Sequence, residues 1–82
     1  MERQEIITAI NNQLAEEFEK DSADFALDGD LRETLEIDSL DIVDVIVMVE
    51  RLFAIKTSKE DFANVKTFND LYDLLDSRIN NK

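Results

Sequence analysis

The chain has no cysteine, no histidine, no proline and no tryptophan, and a single glycine. Without cysteine there can be no disulfide staple and no thiolate nucleophile. Without histidine the common zinc and haem ligands and imidazole catalysis are also excluded. Long apolar runs are missing too: the longest, "VIVMV" at 45–49, falls far short of the roughly 20 residues of a membrane span. The opening "MERQEI" lacks the basic segment and apolar core of a secretory leader. These absences lead us to expect a soluble, cytoplasmic, monomeric protein. At 82 residues it should be one domain, 1–82, burying about 60–65% of its unfolded surface and only modestly stable.

Charge of one sign is abundant. The net charge is −11, and all of it lies between Glu16 and Glu50, where thirteen acids face two bases, Lys20 and Arg32. The rest of the chain carries seven acids and seven bases. Nucleic acid and anionic membrane would be repelled by such a segment, whereas a basic protein would be steered towards it. The plain reading is that the acids solubilise a small domain; their asymmetry gives the docking reading equal weight.

Periodicity points to helices. Ile6, Ile7, Ile10, Leu14 and Phe18 form one apolar stripe over residues 3–18, and Phe68, Leu71, Leu74, Leu75 and Ile79 form another. Residues 19–37 are acidic and aperiodic, with a turn at "DGD" (28–30), and read as a long loop. Ser58 with Asp61, and Thr67 with Asp70, have the spacing of helix-capping pairs, predicting a short helix over 58–64 and the start of the last one.

The stretch "EIDSLDIVDVIVMVERLF" (36–53) is harder to place. Six of the eight residues from Ile42 to Val49 are β-branched, and valines alternate as they would in a strand. Nothing else in the chain reads as a partner strand, so a lone one would leave its backbone groups unpaired. Branching costs a helix only a few tenths of a kcal/mol per residue, which packing can override. The spacing predicts a helix over 39–53 and an all-α fold: a small four-helix bundle with three main helices and one short one.

Candidate chemistry is sparse. If Gly29 is taken as the sixth position of a calcium-binding EF-hand loop, Asp24, Asp28 and Asp30 fall at ligand positions. Ala26, Arg32 and Leu35 then occupy positions that need ligands, so at most weak divalent binding is expected and no metal centre. Asp41 and Asp44 are expected on an open face, where both stay ionised, which makes paired-carboxylate catalysis unattractive. No catalytic residue is assigned. Ser39 has two readings that local physics leaves open. It can cap the helix, as can Asp38, or it can be a covalent attachment point, with a phosphodiester favoured by the free N–H groups at the helix start.

"IDSLD" at 37–41 resembles the Asp-Ser-Leu motif of acyl carrier proteins. The likeness runs through residues 3–80: a striped first helix, an acidic loop, a Ser-headed helix ending in "VERLF", a short third helix, and "VKTFNDLYDLL" opening the fourth. This resemblance implies a carrier rather than an enzyme. Ser39 would bear 4′-phosphopantetheine, received from coenzyme A through a phosphopantetheinyl transferase, and Asp38 and Leu40 are its motif neighbours. The arm would hold acyl intermediates of fatty acid or related lipid biosynthesis as thioesters. Asp41, Asp44 and Glu50 match acidic positions that bind the Arg and Lys of acyl-transferring, condensing and reducing enzymes. Val47 and Met48 match apolar positions on that same exposed face. Val45, Ile46, Val49 and Phe53 match interior positions beside the acyl chain.

The chain also departs from the family pattern. Glu36 stands where relatives usually have glycine, and Arg51 and Leu52 where acids are common, which would narrow or redirect the partners. Carriage of aminoacyl or polyketide intermediates is the alternative within this chemistry. An unmodified acidic adaptor, or a weak Ca²⁺ sensor, is the alternative outside it.

Overall fold

A computed structural model describes residues 1–80. Its elements in order are α1 (Arg3–Glu17), a 3-10 turn (Ser22–Asp24), α2 (Leu31–Leu35), α3 (Ile42–Phe53), α4 (Lys59–Ala63) and α5 (Phe68–Asn80). Among the described residues the only extended pairing is an isolated bridge between Asp30 and Thr67, so the fold is all-α as expected.

Helix α1 buries Ile6, Ile10 and Leu14 completely, one residue per turn. Each such burial is worth about 1.5–3 kcal/mol, far more than differences in helix propensity. The Glu2 N–H donates to Glu5 Oε1 at 3.1 Å to start the helix, and the Phe18 N–H returns to the Leu14 carbonyl at 3.0 Å as it ends. Helix α1 packs against α3 and α5. Arg3 reaches Asp73 of α5 at 2.8 Å, and the Tyr72 hydroxyl donates to Asn11 at 2.7 Å. Burial raises the Tyr72 pKa, a shift that the Asn11 contact opposes.

Both expected capping pairs form. Ser58 Oγ accepts from the Asp61 N–H (3.4 Å) while Asp61 Oδ2 accepts from the Ser58 N–H (2.9 Å), starting α4. Thr67 Oγ1 accepts from the Asp70 N–H (3.1 Å) and Asp70 Oδ2 from the Thr67 N–H (3.2 Å), starting α5. Arg78 ties the two helices together by pairing with Asp61 at 2.5 Å and donating to the Lys56 carbonyl at 3.1 Å.

The acidic stretch 19–37 is more ordered than its aperiodic sequence implies. Asp30 caps α2 by accepting from the Glu33 N–H at 2.9 Å, and Leu31 and Leu35, one turn apart, are buried. One oxygen of the Asp30 carboxylate is thus used in starting its own helix. The segment is stitched to the start of α5 by Leu31 N–H to Lys66 O (2.8 Å), Phe68 N–H to Gly29 O (3.2 Å) and Asn69 N–H to Leu27 O (2.9 Å). Phe25 stacks on Phe68, ring centres 4.8 Å apart. A five-residue helix fixed by such long-range bonds has too short a pattern to stand out as a stripe.

A second correction concerns α3, which begins at Ile42 rather than at residue 39, residues 39–41 forming a turn. Its β-branched residues do form a helix, because Ile42, Val45, Ile46, Met48 and Val49 all join the core built by Leu14, Leu31, Phe62, Phe68 and Leu75. It ends at Ala54, whose φ of 54° is left-handed, and the Thr57 N–H then donates to Glu50 at 3.2 Å.

Candidate functional site

The turn before α3 is held by two aspartates. Asp38 Oδ1 accepts the N–H groups of Leu40 (2.9 Å) and Asp41 (3.2 Å), and Asp41 Oδ2 accepts the Asp38 N–H (3.1 Å). Ile37 anchors the turn from below through its N–H to the Arg32 carbonyl at 3.0 Å, with its side chain against the core. Asp38, together with Asp41, therefore braces the turn. Helix α3 itself starts from Asp41 without a side-chain cap, so neither Asp38 nor Ser39 supplies the helix cap that the sequence left open between them. Ser39 and Leu40 stand exposed at the apex, Leu40 to 77%. Ser39 lines a cleft of about 240 Å³ with Arg32 of α2, Leu40, Ile42, and Lys59, Phe62 and Ala63 of α4. Ile42 and Phe62 are core residues, so apolar side chains of the interior line this cleft beside the serine.

The expected docking residues divide. Asp44 and Arg51 are exposed, and Val47 is 44% exposed. Asp41 is half-buried and held in the turn. Glu50 is also half-buried, its carboxylate taking the Thr57 N–H, so it braces the α3–α4 loop as well as carrying charge. Met48 is corrected outright: it is 8% exposed and belongs to the core, because it falls on the same side of α3 as Val45 and Val49. Its edge reaches a groove of about 500 Å³ between α1 and α3, lined also by Gln13, Glu17, Asp44, Val47, Arg51 and Leu52. Val43, not singled out from the sequence, is 38% exposed. With Leu40 and Val47 it makes an apolar strip at steps of three and four beside Asp44. That spacing was the signal available.

The residues expected inside are inside. Val45 and Val49 have no exposure, Ile46 has 8%, and Phe53 packs against the core from its edge.

Glu36, the residue in place of an expected glycine, closes α2 in the left-handed region at φ 56°, ψ 46°. A glycine there would adopt this conformation at no steric cost. Lys20 pairs with the Glu36 side chain, and the hydrogen bond from that ammonium, followed by its charge, holds the carboxyl below its ordinary pKa.

The chain also has recognisable relatives among known proteins. Residues 6–75 match the family model described as "Phosphopantetheine attachment site", a span that includes Ser39. The chain is 32% identical over 82 residues to the acyl carrier protein of Coprothermobacter proteolyticus, covering all of both chains. It is 30% identical over 76 residues to that of Phytoplasma mali, covering 93% of this chain and 90% of the relative. Against that of Rubrobacter xylanophilus it is 30% identical over 73 residues, 89% of this chain and 90% of the relative.

Proposed function

The chain belongs to the acyl carrier protein family, carriers rather than catalysts whose prosthetic group is 4′-phosphopantetheine, and on that premise we propose that Ser39 bears the group. The observation that carries this reading is the division of labour in the turn: Asp38 and Asp41 satisfy the backbone, which leaves the Ser39 hydroxyl exposed and uncommitted at the mouth of a cleft. The residues present fit the group, since a phosphodiester at Ser39 would lie beside two cationic side chains and an apolar wall. When attached, the arm supplies the thiol that a cysteine-free polypeptide lacks, and with it the means to hold an acyl group as a thioester. Asp38 shapes the turn, and Leu40 presents an apolar contact next to the serine.

The partner surface we propose is the outer side of α3 and the turn before it. Leu40, Val43 and Val47 supply the apolar strip, and Asp41 and Asp44 the charge, with Glu50 adding to the field from its braced position. Basic patches on a phosphopantetheinyl transferase, and on acyl-transferring, condensing and reducing enzymes of lipid biosynthesis, are the matching chemistry. Rim charges of this kind raise association rates while leaving affinity low enough for release. Arg51, among these acids, would disfavour partners that place a cation opposite it. We place the carrier in the cytoplasm as a monomer and read residues 1–82 as one carrier domain.

The test is intact mass after incubation with coenzyme A, Mg²⁺ and a broad-specificity phosphopantetheinyl transferase. One arm should be added to the parent protein and none to Ser39→Ala. An adduct that persists on Ser39→Ala would move the site elsewhere.

A further inference from the structure

Among the described residues, Arg32 and Lys59 are the only cationic side chains lining the Ser39 cleft, one reaching it from α2 and the other from the first residue of α4. Their setting is unusual for this chain. Between Glu16 and Glu50 there are only two bases; Lys20 is taken up by Glu36, which leaves Arg32. Neither Arg32 nor Lys59 makes an ion pair among the described residues, although acids outnumber bases by more than two to one in the chain. The acid next to Ser39, Asp38, directs an oxygen at the N–H groups of Leu40 and Asp41. The acids that adjoin the two bases in sequence, Glu33 and Glu60, form no ion pair with them among the described residues. Ser39, within the most acidic segment of the sequence, thus sits beside two cationic side chains, with Phe62 and Ile42 as apolar walls.

We infer that Arg32 and Lys59 are a bracket for the phosphodiester on Ser39, holding the arm's first segment in the α2–α4 cleft when no enzyme is docked. The inference rests on the attachment proposed above. A phosphodiester carries one negative charge, and covalent linkage keeps it within a few bonds of Ser39 Oγ. The planar fork of Arg32 can donate two parallel hydrogen bonds to its free oxygens, while the Lys59 ammonium acts as a compact point charge. Both side chains are long and solvent-accessible, so the hold is reversible and screened by salt. An arm retained there lies over apolar side chains rather than against the surrounding carboxylates, and docking of a basic enzyme would release it by competing for the phosphate.

The experiment uses protein loaded on Ser39 by the transferase, followed by phosphorus and nitrogen NMR. In the parent protein the Arg32 side-chain nitrogen resonances should shift between the unloaded and loaded forms. The phosphorus line should move towards its position in the unfolded loaded protein as salt rises to about 0.5 M, where screening acts over only a few ångströms. Arg32→Gln and Lys59→Gln should each reproduce part of that movement at low salt and the double variant nearly all of it. Lys56→Gln, a loss of charge outside the cleft, should reproduce none. Unmoved Arg32 resonances, or a phosphorus line that Lys56→Gln displaces as much as Lys59→Gln, would overturn the bracket while leaving the carrier reading intact. A protein that takes up no arm would remove both.

Discussion

Lys20 and Glu36, sixteen positions apart, are joined by an ion pair across the acidic segment, and Glu36 is the left-handed residue that closes α2 just before the Ser39 turn. The pair gives a physical meaning to the departure from glycine. A non-glycine side chain at φ 56° crowds its own carbonyl, and a cation from the preceding loop is arranged to retain it. Glu36→Ala and Glu36→Gly both remove the pair, but only glycine relieves the backbone. Thermal melting should therefore rank Glu36→Gly above Glu36→Ala. Equal melting temperatures would show that the left-handed turn is not strained.

Acid should weaken the start of α5 in a defined direction. The Lys66 and Thr67 N–H groups donate to Asp70 Oδ2 and hold its carboxyl below the ordinary aspartate value; Asp61 is lowered chiefly by the Ser58 N–H and further by Arg78. A carboxyl with a depressed folded-state pKa binds its proton more weakly folded than unfolded. Its contribution is complete above the unfolded value and is lost as pH falls through the folded one. Asp70→Asn and Asp61→Asn should thus melt below the parent at about pH 7 and converge with it only as pH falls through the folded-state values, below the ordinary aspartate pKa. A gap that stays constant with pH would assign the loss to packing instead.

The corrected place of Met48 separates fold from docking. Asp44→Lys changes an exposed residue, so it should alter stability by no more than about 0.5 kcal/mol while slowing transferase loading, most at low salt. Met48→Ala opens the core and should cost about 2–5 kcal/mol, with loading unaffected wherever the protein remains folded. Arg51→Glu should broaden the enzymes that accept the carrier. If loading rates are indifferent to both charge changes, recognition lies on another surface.

The sequence made the main helices, their capping pairs and the exposed serine legible, because stripes longer than three turns and Ser/Thr-x-x-Asp pairs have direct physical consequences. Helix α2 escaped notice because two leucines one turn apart make too short a stripe, and because its order comes from Lys66, Phe68 and Asn69, more than thirty positions away. Helix α3 starts at Ile42 rather than at residue 39 because the Asp38 carboxylate is used in the preceding turn. Met48 lies three residues on from Val45, which places it on the core side of α3 rather than on the outer face that the family resemblance implies.

The core also bears on cargo. Val45 and Val49 are fully buried and Ile46 nearly so, on a helix whose short β-branched side chains leave less bulk than Leu or Phe would. If an acyl chain enters between them, each methylene transferred from water is worth up to about 0.8 kcal/mol, so about six of them reach the lower end of the roughly 5–15 kcal/mol that holds a small domain together. Part of that gain is offset by parting side chains already in contact, so short acyl groups should add little and medium ones more. Melting temperature should therefore rise with acyl length in the parent protein. Val49→Phe fills the same space in advance; it should cost about 1–3 kcal/mol through overpacking and flatten the series. A series already flat in the parent would mean that the chain stays outside the helices, and Val45, Ile46 and Val49 would then be core residues with no part in sheltering cargo.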